Sequence, residues 1–334
     1  MASGQISIES FKQWLAGAGP LIVTEKVKHQ VEELLPVDFQ MVKNVKEAFF
    51  PAWEVLYRYR WADRAWTIDN ETPVVENRTL LAHPCEIRSI DQVLDRVFLD
   101  GKYPEIFYRN RREATSVVVF ACREPEETCF CRMVGGGPFQ KPGGALLVVP
   151  VHAGLYLESE DPGCFSVFEN AEPAGDERQA EIERIRLKAE SLIKDPPLGK
   201  GVPQRLYEAF EDEVWEEIAW KCLNCGACTY LCPTCYCFDM VVDGRLHGQQ
   251  IRSWDACMFP RFTLHASGHN PRPGFRERIR QRVLHKFSYF PIREGTYGCS
   301  GCGACIEVCP VNWDIRDAVK RMVSKIGECR CPSP

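Results

Sequence analysis

The sequence predicts an α/β or α+β amino-terminal domain followed by a mainly helical, cysteine-rich second domain. Two apolar strand-like runs, a charged helical stretch bounded by Pro and Gly, and a crowding of cysteine in the last third carry this reading. "TSVVVFAC" (115–122) and "ALLVVPV" (145–151) are short continuous apolar runs and read as buried strands. Upstream of them, "EIRSIDQVLDRVF" places Ile87, Ile90, Leu94 and Val97 on one helical face. "NAEPAGDERQAEIERIRLKAESLIKDPPLGKGVP" then passes from a Pro/Gly linker into a charged helix and leaves through Pro196, Pro197 and Gly199. In "QRLYEAFEDEVWEEIAW", Leu206, Phe210, Val214 and Ile218 recur every four residues on an otherwise acidic helix, a packing stripe that delivers the chain to Cys222. The expected organisation is an α/β domain at 1–172, a helical linker at 173–220, the cysteine-rich domain at 221–315 and a tail at 316–334.

Composition narrows the function class. With 334 residues, 45% hydrophobic and 26% charged, the chain suits two globular domains with a sizeable core, and disorder is excluded. The longest apolar stretch, 145–157, contains a histidine and falls short of the ~18 residues a membrane span needs. The start, "MASGQISIESFKQW", has no basic segment, no continuous apolar segment and no twin arginine, so the protein is expected in the cytoplasm.

A reducing cytosol disfavours structural disulfides, so eighteen cysteines point to metal binding or redox chemistry. Cys222, Cys225, Cys228 and Cys232, followed by Pro233, read C-x2-C-x2-C-x3-C-P; Cys299, Cys302, Cys305 and Cys309, followed by Pro310, read the same. Both match the bacterial ferredoxin run. Zinc wants four ligands in two pairs, whereas here three closely spaced thiolates wrap one cubane and the fourth is lent elsewhere. In two-cluster ferredoxins the fourth cysteine of each run serves the other cluster. Cys222, Cys225, Cys228 and Cys309 are therefore assigned to one [4Fe–4S] cluster, and Cys299, Cys302, Cys305 and Cys232 to a second, in a two-[4Fe–4S] ferredoxin-like domain. Gly226 and Ala227, like Gly303 and Ala304, let the backbone turn tightly between ligands. Pro233 and Pro310 are expected to end each loop and start a helix.

Sixty-six residues separate Cys232 from Cys299, so the motif pair is split by an insertion expected to contain helices. From 245 to 293 the chain holds ten Lys or Arg against only Asp255 and Glu277, although its formal net charge is -5. "RPGFRERIRQRVLHKFSYF" interleaves arginine with Phe and Tyr, a pattern open to a nucleic-acid face or a solvated helical face. The preferred reading is electrostatic. Thiolate-ligated cubanes are net anionic, and Arg276, Arg278 and Arg280 would offset that charge, raise the potentials and offer a docking surface.

The amino-terminal domain has cysteines of its own: Cys85 in "LAHPCE", Cys122 at the end of a strand run, and Cys129 and Cys131 in "ETCFC". Four thiols at two loop ends suit a further cluster or, equally, buried packing. "MVGGGPFQKPGGALL" is not G-x-G-x-x-G and leads into a strand rather than a helix, so it is read as a loop. His83 reads as a loop hydrogen-bond donor, and no catalytic constellation stands beside the clusters.

"VKEAFFPAWEVLYRY", "HPCEIRSIDQVLDRVFLD", "YRNRREATSVVVFACREPEETCFC", "KCLNCGACTYLCPTCYCFDM", "WDACM" and "HNPRPGFRERIRQRVLHKF" resemble, in that order, the iron–sulfur beta subunit of soluble archaeal sulfhydrogenases and the related A subunit of anaerobic sulfite reductase. The resemblance covers roughly residues 45–315 and includes stretches without ligands. It implies an electron-transfer subunit of a multisubunit oxidoreductase in anaerobic metabolism. Such a subunit relays electrons between a flavin-containing NAD(P)H-linked subunit and a catalytic partner of nickel–iron hydrogenase, sulfite reductase or heterodisulfide reductase type. It also implies a third [4Fe–4S] cluster, on the positions matching Cys85, Cys122, Cys129 and Cys131, with flavin on the partner. Glu86 stands where the family pattern has Asp, which puts a local hydrogen bond in question. Cys235, Cys237 and Cys257 match family positions outside the ferredoxin runs and read as structural or cluster-adjacent, with a fourth metal site as the alternative. Cys164, Cys329 and Cys331 have no counterpart, although "ECRC" could reach a partner's cluster, and the paired-cysteine module of heterodisulfide-cleaving subunits is missing. A self-sufficient iron–sulfur reductase and a nucleic-acid-binding iron–sulfur protein are the rival readings; neither nucleic acid nor a membrane span is expected.

Overall fold

The computed structural model describes residues 2–34, 37–69, 72–142, 145–152, 154–160, 168 and 171–328. Cys164, Cys329, Cys331 and the glycine pair at 143 and 144 lie outside them. The apolar runs form strands of an eight-stranded mixed sheet. Its members are β1 (Ala2–Ile6), β2 (Leu21–Thr24), β3 (Gln40–Val42), β6 (Arg78–Ala82), β7 (Thr115–Phe120), β8 (Leu146–Val151), β9 (Gly154–Ser159) and β10 (Glu172–Pro173), in spatial order β10-β1-β9-β8-β7-β6-β2-β3. Strands β3, β2, β6, β7 and β8 run parallel, and β9, β1 and β10 extend the sheet antiparallel.

The parallel strands are apolar throughout because both faces are covered, and the period of two is visible in the packing. Leu80, Ala82, Val119, Leu147 and Val149 enter one core. Leu81, Val118, Phe120, Leu146 and Val148 enter the other. The segment after β6 is helical from Pro84 to Phe98, with a π-helical turn at Ile90–Leu94. Ile87, Ile90 and Leu94 are buried in the first core and Val97 packs against it, so the predicted face is the buried face.

A second, four-stranded antiparallel sheet joins distant parts of the chain in the order β11-β12-β4-β5. β4 (Trp53–Ala62) and β5 (Ala65–Asp69) come from the amino-terminal part, and β11 (Phe238–Gly244) and β12 (His247–Trp254) from the insertion between the cysteine runs. The ferredoxin region thus carries a hairpin as well as helices. At the base of the sheet Glu54 pairs with Arg252 and, at 2.8 Å, with Arg111, all with little exposure.

The third core surrounds the cysteine runs and contains Trp215, Ile279, Phe287, Trp313 and Val319. Helix Asp176–Leu192 is the predicted charged helix. The following acidic stretch is two short helices, Val202–Glu208 and Val214–Ala219, rather than one. Asp212 Oδ1 accepts from Val214 N at 2.9 Å and restarts the chain there. Residues 316–328, expected as a tail, lie in helix Ile315–Glu328, whose Ala318, Val319 and Met322 are buried in this core. Among the described residues no helix is long and apolar enough to cross a membrane.

Candidate metal centres

The two cysteine runs fold alike. Asn224 and Gly301 occupy equivalent places, both with positive φ, and each backbone N–H donates to the sulfur two residues earlier, Asn224 to Cys222 and Gly301 to Cys299, both at 3.4 Å. Gly226 (φ +76°) and Gly303 (φ +81°) follow. A Cβ at Gly226 would stand 2.7 Å from the Phe259 ring, and one at Gly303 would stand 2.5 Å from Thr128 Oγ1, so both the backbone angle and the close approach require glycine. Each then opens one helical turn, Ala227–Tyr230 and Ala304–Glu307. The prolines behave differently from expectation. Pro233 enters a turn leading to β11, and Pro310 enters a turn before helix Ile315–Glu328, so neither starts a helix.

The runs cross in space. Cys222, Cys225, Cys228 and Cys309 line one pocket, together with Cys305. Cys232, Cys299, Cys302 and Cys305 line a second. Each pocket therefore gathers three cysteines of one run and the last cysteine of the other, and Cys305 lines both. Trp313 N donates to Cys309 Sγ at 3.1 Å. Among the described residues no three His, Cys, Asp or Glu side chains are drawn in around a single ion. Ligands of a cluster sit outside its several irons and must stand farther apart than those of one ion.

Two further observations fit an anionic cluster. Asn224 lines the first pocket and Ser300 the second, and Asn224 Nδ2 and Ser300 Oγ are buried polar atoms with no hydrogen bond in the chain; such groups are rare in folded proteins and call for a partner. In addition, Arg282 and Lys286 are 2% and 4% exposed in the wall of the second pocket. Lys286 Nζ donates to Thr234 Oγ1 (2.6 Å), Gly298 O (3.0 Å) and Cys232 Sγ (3.4 Å). Burial works against its ammonium form, yet the thiols of Cys232 and Cys235 outweigh burial and its pKa is raised. Burial pushes Cys305 up to about 12 and raises Cys222, Cys299 and Cys302. Iron binding here must displace protons, as for any thiolate site.

The amino-terminal cysteines sit at the carboxyl edge of the parallel strands. Strand order reverses between β2 and β6, the place where open α/β sheets hold ligands. Lys26 follows β2, Cys85 follows β6 and Cys122 follows β7; with Cys129 they line one open cleft. Cys131 does not line it, being buried beneath Gly136, although it lies close enough to Cys122 to bear on that thiol's charge. Burial pushes Cys122 and Cys131 up to about 12 and raises Cys85 and Cys129. His83 Nε2 is another buried orphan, and burial first, then Lys26, lowers that ring to about 3. Glu86 does make the hydrogen bonds in question: Oε2 accepts from Thr24 Oγ1 at 2.7 Å and from His83 N at 2.9 Å, tying the ends of β2 and β6 together. This edge abuts the second ferredoxin pocket. Phe130 N donates to Gly301 O at 2.8 Å, and Thr128 Oγ1 donates to Glu307 Oε1 at 2.6 Å.

The arginines chosen from the sequence are not the ones beside the thiols. Arg276 reaches Glu211 and Glu216 at 3.9 and 3.8 Å. Arg280 pairs with Glu211 and stacks 3.7 Å over Phe210, and Arg278 donates to Arg272 O and Pro273 O. Arg276 and Arg280 brace the segment between the two short helices, and Arg278 ties its helix to the loop before it. Lys26, Lys46, Arg282 and Lys286 face the cysteines instead. Only helical phase separates Arg282 from Arg276, Arg278 and Arg280, and Lys46 in "NVKEAFF" carries no sequence signal. Cys235, Cys237 and Cys257 gather in a pocket of their own, beside the second ferredoxin pocket.

Residues 221–313 match the family described as a 4Fe-4S dicluster domain. Sulfhydrogenase 2 subunit beta of Pyrococcus furiosus is 35% identical over 240 residues, covering 68% of each chain.

Proposed function

The chain belongs to the sulfhydrogenase beta-subunit family, and from that premise we propose that it relays electrons between a flavin-containing NAD(P)H-linked subunit and a separate catalytic subunit of hydrogenase, sulfite reductase or heterodisulfide reductase type. An iron–sulfur electron-transfer role follows from the family and the dicluster match. In the proposed arrangement Cys222, Cys225, Cys228 and Cys309 hold one [4Fe–4S] cluster, Cys299, Cys302, Cys305 and Cys232 a second, and Cys85, Cys122, Cys129 and Cys131 a third. Such clusters take up and release single electrons at potentials set by charge, hydrogen bonds and exposure. The chain's own groups provide that setting. Backbone N–H groups of Asn224, Gly301 and Trp313 point at ligand sulfurs, Lys286 holds positive charge against Cys232 Sγ, and Arg282 donates to Cys228 O, both cations being buried. Of the amino-terminal set, Cys85, Cys122 and Cys129 line the open cleft, and Cys131, buried outside its lining, would complete the ligand set.

The observation that carries the relay is the contact between the carboxyl-edge cysteines and the second ferredoxin run. Cys129 Sγ lies 3.8 Å from Cys302 O, so the amino-terminal set adjoins a ferredoxin set that in turn shares Cys305 with the first pocket. A contiguous series of sites running from one part of the chain to another suits a carrier with no chemistry of its own. The expected division is a sheet domain at 1–172, a helical linker at 173–220 and the dicluster domain from 221, in the reducing cytoplasm where free thiols persist.

The test is anoxic purification of the chain with its native partners. NAD(P)H added to the complex is expected to reduce the iron–sulfur signals of this subunit, while NAD(P)H added to the isolated chain leaves them oxidised. Reduction of the isolated chain by NAD(P)H alone, with flavin absorbance in the preparation, would replace the relay by a self-sufficient reductase.

A further inference from the structure

Two cysteines outside the proposed ligand sets touch each other. The hairpin β11–β12 brings them together: Phe238 pairs with Trp254, and Asp255 N donates to Cys237 O at 3.0 Å, so the chain enters the hairpin from Cys237 and returns toward Cys257 beside it. The Cys237 thiol donates to Cys257 Sγ, and the backbone N–H of Cys257 faces Cys237 Sγ. Cys235, which lines the same pocket, is engaged elsewhere: its thiol contacts Cys232 of the second ferredoxin set, and Arg282 Nη1 lies 3.6 Å from its sulfur. Cys237 and Cys257 are left with each other. A disulfide demands adjoining backbone and sulfurs that meet, and this pair of free thiols has both.

Three features separate this pair from cysteines that merely pack. Both residues are partly exposed, whereas Cys235 is buried. The pair also lies in positive surroundings: the Cys237 thiol first, then the charges of Arg282, Lys286 and Arg272, bring Cys257 down to about 6 against the opposing effect of burial, while the same hydrogen bond raises Cys237. At neutral pH one sulfur is therefore a thiolate and its neighbour a thiol, the arrangement of an attacking and a resolving cysteine. Reactive cysteines occupy positive, partly exposed surroundings of this kind, and structural ones do not. Finally, the pair adjoins an electron site. Arg282 and Lys286 line both this pocket and the second ferredoxin pocket, and Cys235 spans from one to the other through its contact with Cys232. In a reducing cytoplasm a disulfide that forms at all is transient and catalytic or redox-sensing.

We propose that Cys237 and Cys257 form a redox-active dithiol that reduces low-molecular-weight organic disulfides, a reaction added to the relay at the side of the second ferredoxin site. The Cys257 thiolate attacks one sulfur of RS–SR, that S–S bond breaks, and one RS⁻ leaves. Cys237 then gives up its proton and attacks Cys257 Sγ of the mixed disulfide, which closes the Cys237–Cys257 bond and releases the second RS⁻. Two electrons and one proton reopen the bond to thiolate and thiol, so the net change is RS–SR plus two electrons to two RS⁻. Delivery of those electrons rests on the relay proposed above; the exchange half needs no cluster. The test treats the full-length chain, prepared without oxygen, with hydroxyethyl disulfide, blocks it with iodoacetamide and maps it by mass. About two equivalents of mercaptoethanol per chain and a Cys237–Cys257 cross-link are expected, with iron unchanged. Cys237→Ser is expected to release about one equivalent and to keep a mixed disulfide on Cys257, and Cys257→Ser to slow the first release by about tenfold or more. Alkylation of both thiols with no release, a cross-link through Cys235, or iron lost from either variant would overturn the proposal, the last because it would make these thiols ligands. The wild-type map decides the matter should a variant fold poorly. Light-reduced deazaflavin added to the cross-linked chain is expected to restore both thiols, and a disulfide that persists while the Cys299-dependent signal is reduced would overturn the reductive half. The cluster signals are read separately, and their response to NAD(P)H reports on the relay alone.

Discussion

Lys286→Met removes a buried cation that touches a proposed ligand, and its effect can be estimated. Nζ lies 3.4 Å from Cys232 Sγ in a site closed to solvent. Two unit charges about 4 Å apart interact by about 4 kcal/mol at an effective dielectric of about 20. The electron taken up on reduction spreads over the cluster rather than residing on one sulfur, so roughly half of this, about 2 kcal/mol, bears on the potential. At about 59 mV per 1.4 kcal/mol for one electron, the cluster held by Cys232 falls by about 80 mV. Lys286→Arg keeps the charge and is expected to recover most of the shift. Because Thr234 Oγ1 and Gly298 O also lose their donor, a cost of about 1–3 kcal/mol in stability accompanies the change. Iron per chain is therefore measured first, and the potential is then read by anoxic reductive titration with paramagnetic resonance. Retained iron with every potential unchanged, or with a rise, would refute the electrostatic role.

Cys309→Ala is expected to abolish the same signal as Cys222→Ala, and Cys232→Ala the same as Cys299→Ala; pairing by sequence proximity would overturn the crossed assignment. Cys129→Ala with Cys131→Ala should lower iron by about four per chain relative to wild type, and unchanged iron would remove those thiols from the ligand set. Arg276→Gln with Arg280→Gln should leave all potentials in place, since both side chains are spent on Glu211, Glu216 and Phe210; a fall in potential would restore them as cluster cations. Glu54→Ala leaves Arg252 with Glu105 alone and Arg111 with Phe49 O alone, and should cost about 3–5 kcal/mol in denaturant unfolding, whereas a change under about 1 kcal/mol would mean that the triad contributes little.

The dicluster domain and the turns of its two cysteine runs were legible because the spacing is local: three cysteines within seven residues determine their own turn, and glycine or asparagine marks the positive-φ positions. The strands were legible for the same reason, since a strand buried on both faces advertises itself as a continuous apolar run. What could not be read depends on contacts between distant segments. Nothing near Trp53 or Phe238 announces that β4 and β12 share a sheet, a pairing fixed by a buried ion triad and by the hairpin register. The basic insertion was read as facing the clusters, and two of its cations do, but the choice among Arg276, Arg278, Arg280 and Arg282 rests on helix rotation against Trp215 and Phe287. The acidic stripe from Leu206 to Ile218 kept its buried face while breaking into two helices, because burial constrains phase and Asp212 supplies a new start.

The most direct measurement is a stepwise anoxic reduction of the full-length chain, with spins counted at each potential and the protein then reoxidised. At least two separately titrating [4Fe–4S] signals are expected, one lost in Cys222→Ala and the other in Cys299→Ala, and both should return after reoxidation with iron retained. A chain that holds zinc in place of iron, or whose signals cannot be cycled without losing the metal, would contradict its role as an electron carrier.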